Sequence, residues 1–248
     1  MKKFVLLGCV CSLSACGGGG GGSISLNAST ERVFLDGSGV ASAKYEDGSV
    51  AYILGPDIAL AVDEVNRDNS VDLIDTSDYS IIQRINGYTI RQGADGGVNA
   101  LVAENDTSGA NSMVYVFDNY GDALLVGTKP TSNLPSGTHT YTGIYAVGDR
   151  RAGGSDLGTA TVTANFNQGN FDISAASSTT SLTGSGFIEA SNGNLSGANF
   201  TFTDPVNSTY SASIIGKIGS RDGSDEAVGI WYTNDTNPDF GGGFATKK

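Results

Sequence analysis

The chain has little chemistry of the reactive kind. Its 248 residues include three cysteines, and all of them, Cys9, Cys11 and Cys16, fall in the first sixteen positions. Everything after Cys16 therefore lacks a thiol, which excludes disulfides, thiolate metal sites and a cysteine nucleophile from the rest of the chain. The single histidine, His139, would have to serve alone as the base of any hydrolase triad. Only 14 lysines and arginines stand against 26 acidic residues, a net charge of −12. The basic residues form no stripe, so phosphate backbones would be repelled and a nucleic-acid partner is not expected. No Gly-x-Gly-x-x-Gly run leads a strand into a helix, and no Gly-Lys-Ser/Thr phosphate loop occurs, so nothing supports nucleotide use. What is abundant is glycine, 36 residues against five prolines, with many Ser, Thr and Asn. That composition points to turns and short strands rather than helices.

Lys2 and Lys3 precede an apolar run over residues 4–13. The run is too short to span a bilayer and has the layout of a secretory signal. Leu13-Ser14-Ala15-Cys16 resembles the lipobox of bacterial lipoproteins. The resemblance implies a signal peptide over residues 1–15, cleavage between Ala15 and Cys16, and a diacylglycerol thioether plus an acylated amino group on Cys16. Two or three acyl chains anchor stably, because each buried methylene contributes about 0.8 kcal/mol. Six glycines follow at 17–22, and a glycine coil of that length reaches roughly 14 Å, so residues 16–23 read as a lipidated tether. Gly17 is not the aspartate that holds enterobacterial lipoproteins at the inner membrane, which by the same resemblance implies the outer membrane of a Gram-negative cell. Losing Lys2 and Lys3 with the signal leaves 12 basic residues and brings the charge to about −14.

The second half alternates with period 2. Ala160, Val162, Ala164 and Phe166 fall on one face while Thr159, Thr161, Thr163 and Asn165 fall on the other, as in a half-buried strand. After Asn167-Gln168-Gly169, Phe171 and Ile173 alternate against Asn170, Asp172 and Ser174, which completes a hairpin. The same reading predicts eight strands at about 138–147, 158–166, 170–175, 181–190, 194–203, 208–218, 226–233 and 239–246. Eight sequential antiparallel strands on short connections close most naturally into an up-and-down barrel, which has no free edge; a two-sheet sandwich is the alternative. Tyr141, Tyr145, Phe166, Phe171, Phe200, Phe202, Tyr210, Ile214, Trp231, Phe240 and Phe244 are predicted to point inward. So many rings would fill an eight-stranded barrel rather than line a ligand cavity. Gly184, Gly186, Gly197, Gly216, Gly229 and Gly242 would make room beside them. The other faces read Thr-Thr-Thr-Asn and Asn-Asp-Ser, not the apolar band of a membrane barrel.

The first half is less regular. Runs at 31–35, 49–54, 79–85, 87–91, 98–103, 113–117 and 123–126 read as short strands, and Asn86-Gly87 is a strong hairpin signal. Ile58, Ala61, Val62 and Val65 have helical spacing, so 57–67 is predicted to be the one helix. Residues 128–137, with Pro130 and Pro135, read as the linker between halves.

Three stretches then carry a resemblance: Pro135-Ser136-Gly137-Thr138-His139-Thr140-Tyr141-Thr142-Gly143, residues 158–166, and Ala227-Val228-Gly229 followed by Gly243-Phe244-Ala245-Thr246-Lys247. Together they resemble the β-barrel domain of the transferrin-binding protein B family of surface lipoproteins. Such a barrel ends there with an Ala-x-Glu-x-x-Gly element and a short Gly-Phe-Gly-x-Lys segment. A lipobox cysteine before polyglycine also occurs there and in related factor H-binding and haem-acquisition lipoproteins. The chain departs from the pattern in two ways: Asp225-Glu226-Ala227-Val228-Gly229 is a shifted version of the acidic element, and there is one barrel where the family has two lobes. Transferrin binding itself is therefore not implied. The resemblance implies an all-β protein with a handle-like, mainly-β domain over 24–130 and a barrel domain over 131–248. It also implies display from the outer membrane at the cell surface and capture of a host or environmental protein or an iron source.

Candidate chemistry is sparse. Asp75-Thr76-Ser77 resembles one half of an aspartic-protease pair, but no second copy exists. Asp68-Asn69-Ser70-Val71-Asp72 and Gly93-Ala94-Asp95-Gly96-Gly97 offer oxygen ligands in loops, without the spacing of a calcium-binding EF-hand. His139 reads as an outward or capping imidazole. Its one sharper use is as an axial haem ligand, opposite a tyrosine or Met113. The expectation is thus a monomeric, non-enzymatic lipoprotein without a metal or resident cofactor, held to the membrane by its lipid and binding a partner through loops and strand faces. The alternatives are a shielding surface coat without a specific ligand, and a haem binder.

Overall fold

The computed structural model describes residues 31–35, 40–44, 50–54, 76–95, 98–118, 121–129, 131, 133–149, 154–221, 223–234 and 240–248, and all the regular structure in them is β. Ala15, Cys16, the tether, the predicted helix at 57–67, Asp75 and the 68–72 stretch lie outside those residues.

Eight strands form one antiparallel sheet: β1 (Glu31–Leu35), β2 (Val40–Lys44), β3 (Val50–Leu54), β4 (Ser80–Ile85), β5 (Tyr88–Asp95), β6 (Val98–Asn105), β7 (Asn111–Asp118) and β8 (Gly121–Thr128). Their spatial order is β1-β2-β3-β8-β7-β6-β5-β4. Asn86 and Gly87, at φ of 47° and 80°, make the two-residue turn from β4 to β5, a conformation that favours Asn-Gly. Eight more strands close a barrel: β9 (Thr138–Asp149), β10 (Gly154–Asn165), β11 (Asn170–Ala176), β12 (Ser181–Ile188), β13 (Asn194–Thr203), β14 (Thr209–Arg221), β15 (Ser224–Thr233) and β16 (Phe240–Lys247). Each barrel strand pairs antiparallel with its sequence neighbour, and β16 returns to β9. The up-and-down barrel is therefore the observed fold, and the sandwich is not.

All eleven residues predicted to point inward belong to one core. Tyr141, Tyr145, Phe171, Phe200, Phe202, Ile214, Trp231, Phe240 and Phe244 are buried in it, with Phe166 and Tyr210 at its margin. Ring centroids stand 4.7 Å apart for Phe202 and Trp231, 4.9 Å for Phe202 and Phe240, and 5.8 Å for Tyr145 and Trp231. Each buried ring contributes about 1.5–3 kcal/mol of transfer free energy. The glycines serve this packing: a Cβ on Gly186 would lie 2.5 Å from the Phe171 ring, and one on Gly229 would lie 2.6 Å from Phe244.

The structure differs from the sequence expectation in four places. First, β2, Val40-Ala41-Ser42-Ala43-Lys44, was not predicted; its small residues carry little strand propensity, and pairing with β1 and β3 makes it a strand. Second, β9 and β10 run past their predicted ends, because the ladder continues through Gly148–Ser155 and Asp149–Gly154 and backbone pairing does not need apolar side chains. Third, Gly93, Ala94 and Asp95 end β5 instead of forming a loop, and the Tyr79 ring lies over Gly93. Fourth, the outer barrel face is polar only in part. Outward residues Ile144 and Ala146 of β9, Val228 and Ile230 of β15 and Ala245 of β16 are buried against Tyr52, Leu54, Tyr88, Ile90, Met113 and Tyr115 of the sheet. Sheet and barrel thus share a second core, across which the Tyr52 hydroxyl donates to the Gly216 carbonyl at 2.9 Å.

Candidate functional site

His139 opens β9 with its side chain on the inward-facing parity. Its Nε2 stands 2.9 Å from the Ser136 carbonyl, and its ring meets Phe166 edge-on at 5.9 Å. The same end is tied by Gly137 N–H donating to Asn167 Oδ1 at 3.1 Å and Phe166 N–H donating to the Gly137 carbonyl at 2.9 Å, while Leu134 packs onto the core. The imidazole therefore caps the barrel mouth. Met113 is not beside it: that side chain is buried between sheet and barrel. Tyr141, the next inward residue on β9, is buried, and its pKa is pushed up to about 12 by burial and, secondarily, by the Asp225 charge. Burial also raises Tyr145.

Away from the sheet, the barrel wall is a grid of short polar side chains. Thr142, Thr161, Ser174, Thr183, Thr201 and Ser211 are successive partners across β9 to β14, spaced by about 4.8 Å per strand. Asp172 on this wall accepts from the Ser185 hydroxyl. Phe187 on the wall, 68% exposed, and Val206 in the β13–β14 turn, 77% exposed, are apolar exceptions. Asp156, beside the β11–β12 turn, accepts from Thr179 Oγ1 at 2.8 Å. Burial pulls its pKa up, but hydrogen bonds from Ser177, Thr179, Ser178 and the Leu157 backbone outweigh that and hold it below its ordinary value. In the β12–β13 turn, Asn192, Ser191 and Asn194 lower Glu189 in the same way. The free wall and its turns thus present hydroxyls, amides and fixed negative charge.

A third constellation lies inside the second core and was missed by sequence reasoning. Glu226, on the outer face of β15, is 0% exposed. Its carboxylate accepts from Asn105 Nδ2 of β6 at 2.5 Å, Ser112 Oγ of β7 at 2.9 Å and Thr128 Oγ1 of β8 at 3.2 Å. Asn105 Nδ2 also donates to Ser224 Oγ at 3.1 Å, and its Oδ1 accepts from Lys247 Nζ of β16 at 3.1 Å. A buried carboxylate persists only when its lone pairs are met in this way. The acidic pair Asp225-Glu226 was visible in the sequence, but partners more than ninety residues away were not. Among the described residues no cluster of three or more His, Cys, Asp or Glu side chains is placed to hold a metal ion. Compared with known families and with curated proteins, the chain matches no family model and no curated protein.

Proposed function

We propose that the protein is a surface lipoprotein, anchored in the outer membrane through Cys16, that binds a macromolecular partner or an iron source with the outside of its β-domains and carries out no reaction on that partner. The observation that carries this reading is the ring-filled barrel interior, which leaves recognition to loops and strand faces. The lipobox, the polyglycine tether and the resemblance to transferrin-binding protein B-like lipoproteins support it. The free wall, polar and anionic, suits a polar or cationic partner surface.

The test is capture from serum or spent medium by the detergent-solubilised protein, with spectral titration by haemin alongside. A specific protein recovered, or a Soret shift that His139→Ala abolishes, would support capture and say of which kind. Recovery of nothing specific, with no binding of haemin or transferrin, would overturn the reading in favour of a shielding coat. Cys16→Ala should release the protein from the membrane fraction; retention would refute the anchor.

A further inference from the structure

Lys247 and Asn105 meet across the sheet–barrel boundary although 142 residues separate them. Lys247 Nζ lies 3.1 Å from Asn105 Oδ1, and Asn105 Nδ2 on the other side of the same amide lies 2.5 Å from Glu226 Oε1. An amine, a primary carboxamide and a fully buried carboxylate are therefore gathered around one carbonyl carbon. The surroundings fit the amine and the amide closely. Gly87 leaves the space that the lysine uses, since a Cβ there would lie 2.4 Å from Lys247 Cε. The Tyr88 ring stands 5.7 Å from Nζ, and Thr107 Oγ1 accepts from Nζ at 2.8 Å. Thr107 N–H donates to Asn105 Oδ1 at 2.9 Å, where negative charge would develop during attack on the carbonyl. Ser112 and Thr128 hold the Glu226 carboxylate in place.

We infer that Lys247 and Asn105 form an intramolecular isopeptide bond, with Glu226 moving the proton. The reaction needs the free amine, so the lysine ammonium first sheds a proton. Nζ then attacks Cγ of Asn105, a short movement for a flexible side chain whose Nζ already touches Oδ1. As the new C–N bond forms, a proton passes from Nζ to Glu226, and the oxyanion on Oδ1 is steadied by Thr107 N–H. Glu226 returns that proton to Nδ2, the old C–N bond breaks, and ammonia leaves, taking up the proton shed at the start. No oxidant, metal or cofactor enters the balance. The bond would tie the sheet covalently to the last barrel strand in a chain that has no cysteine after Cys16, and would constrain the unfolded chain as a disulfide does.

Intact-mass measurement and peptide mapping of the purified full-length protein test this. The wild type should be lighter than its processed sequence by one ammonia and should yield a branched peptide joining Asn105 to Lys247. Lys247→Arg keeps the charge and removes the nucleophile; it should fold, as seen by circular dichroism, regain the lost mass and yield no branched peptide. Glu226→Gln should also remain unlinked; if that variant fails to fold, Lys247→Arg still decides the point. Unmodified Asn105 and Lys247 in the wild type would overturn the inference. So would an ammonia loss that survives in Lys247→Arg, which would place it at another amide such as Asn86 before Gly87.

Discussion

The barrel has two unlike outer walls. Around β10 to β13 the outward positions are Thr161, Ser174, Thr183 and Thr201, on a wall left to solvent; on β9, β15 and β16 they are Ile144, Ala146, Val228, Ile230 and Ala245, buried under the sheet. The inner faces behind both walls are alike, packed with rings into one core. Closure of the barrel dictates the inside everywhere, whereas the outside depends on what docks there. The covered wall also contains the Glu226 network, so its burial is held by specific hydrogen bonds as well as by apolar area.

Trp231→Ala attacks what the two walls share and should have the largest effect, a loss of about 3–5 kcal/mol in denaturant unfolding; a loss below about 1 kcal/mol would mean that the rings do not pack as one core. Next comes Ile230→Ala on the covered wall, expected to cost about 2–4 kcal/mol and to loosen sheet and barrel together. Separate unfolding transitions for the two, in the wild type, would show that the shared core does not couple them.

Alkaline pH probes both cores. Tyr141 is raised to about 12, and Tyr145 and Tyr52 are raised by burial as well. A folded pKa above the unfolded one contributes stability that is complete below the unfolded value near 10 and lost as pH rises through the folded one. Tyrosinate absorbance from these side chains should therefore appear together with unfolding, above about pH 10; their titration in the folded protein near pH 10 would contradict their burial. Asp156 has the opposite sign: its lowered pKa contributes stability above the ordinary value of 3.8 that fades as pH falls through the folded one. Asp156→Asn should flatten the acid limb slightly, by less than about 1 kcal/mol given its partial exposure. The smallest effect belongs to Thr183→Ala on the free wall, within about 0.5 kcal/mol. A larger cost there would mean that the two walls are less different than their exposure indicates.

Much of this could be read from the chain and some could not. Strict alternation in β11, with Phe171, Ile173 and Ala175 buried between exposed neighbours, made the barrel strands and their inner rings legible. The covered wall left a trace as well: Ala227 to Tyr232 is apolar at both parities, the mark of a strand buried on two sides. That run does not say which element lies above it. Strand β2 was invisible because its small residues become a strand only by pairing on both sides. The meeting of Asn105, Glu226 and Lys247 was invisible for a different reason, since Asn105 lies more than a hundred positions from the other two.

Local alternation and turn chemistry marked out the eight barrel strands and the rings that fill the interior, because a period of two selects a face and short turns force neighbours to pair; closure into a barrel rather than a sandwich came from the pairing of β16 with β9. Which wall is covered, and which amine, amide and acid meet beneath the sheet, was decided only when the chain folded. Docking brings together residues more than a hundred positions apart, and no local pattern encodes such a meeting.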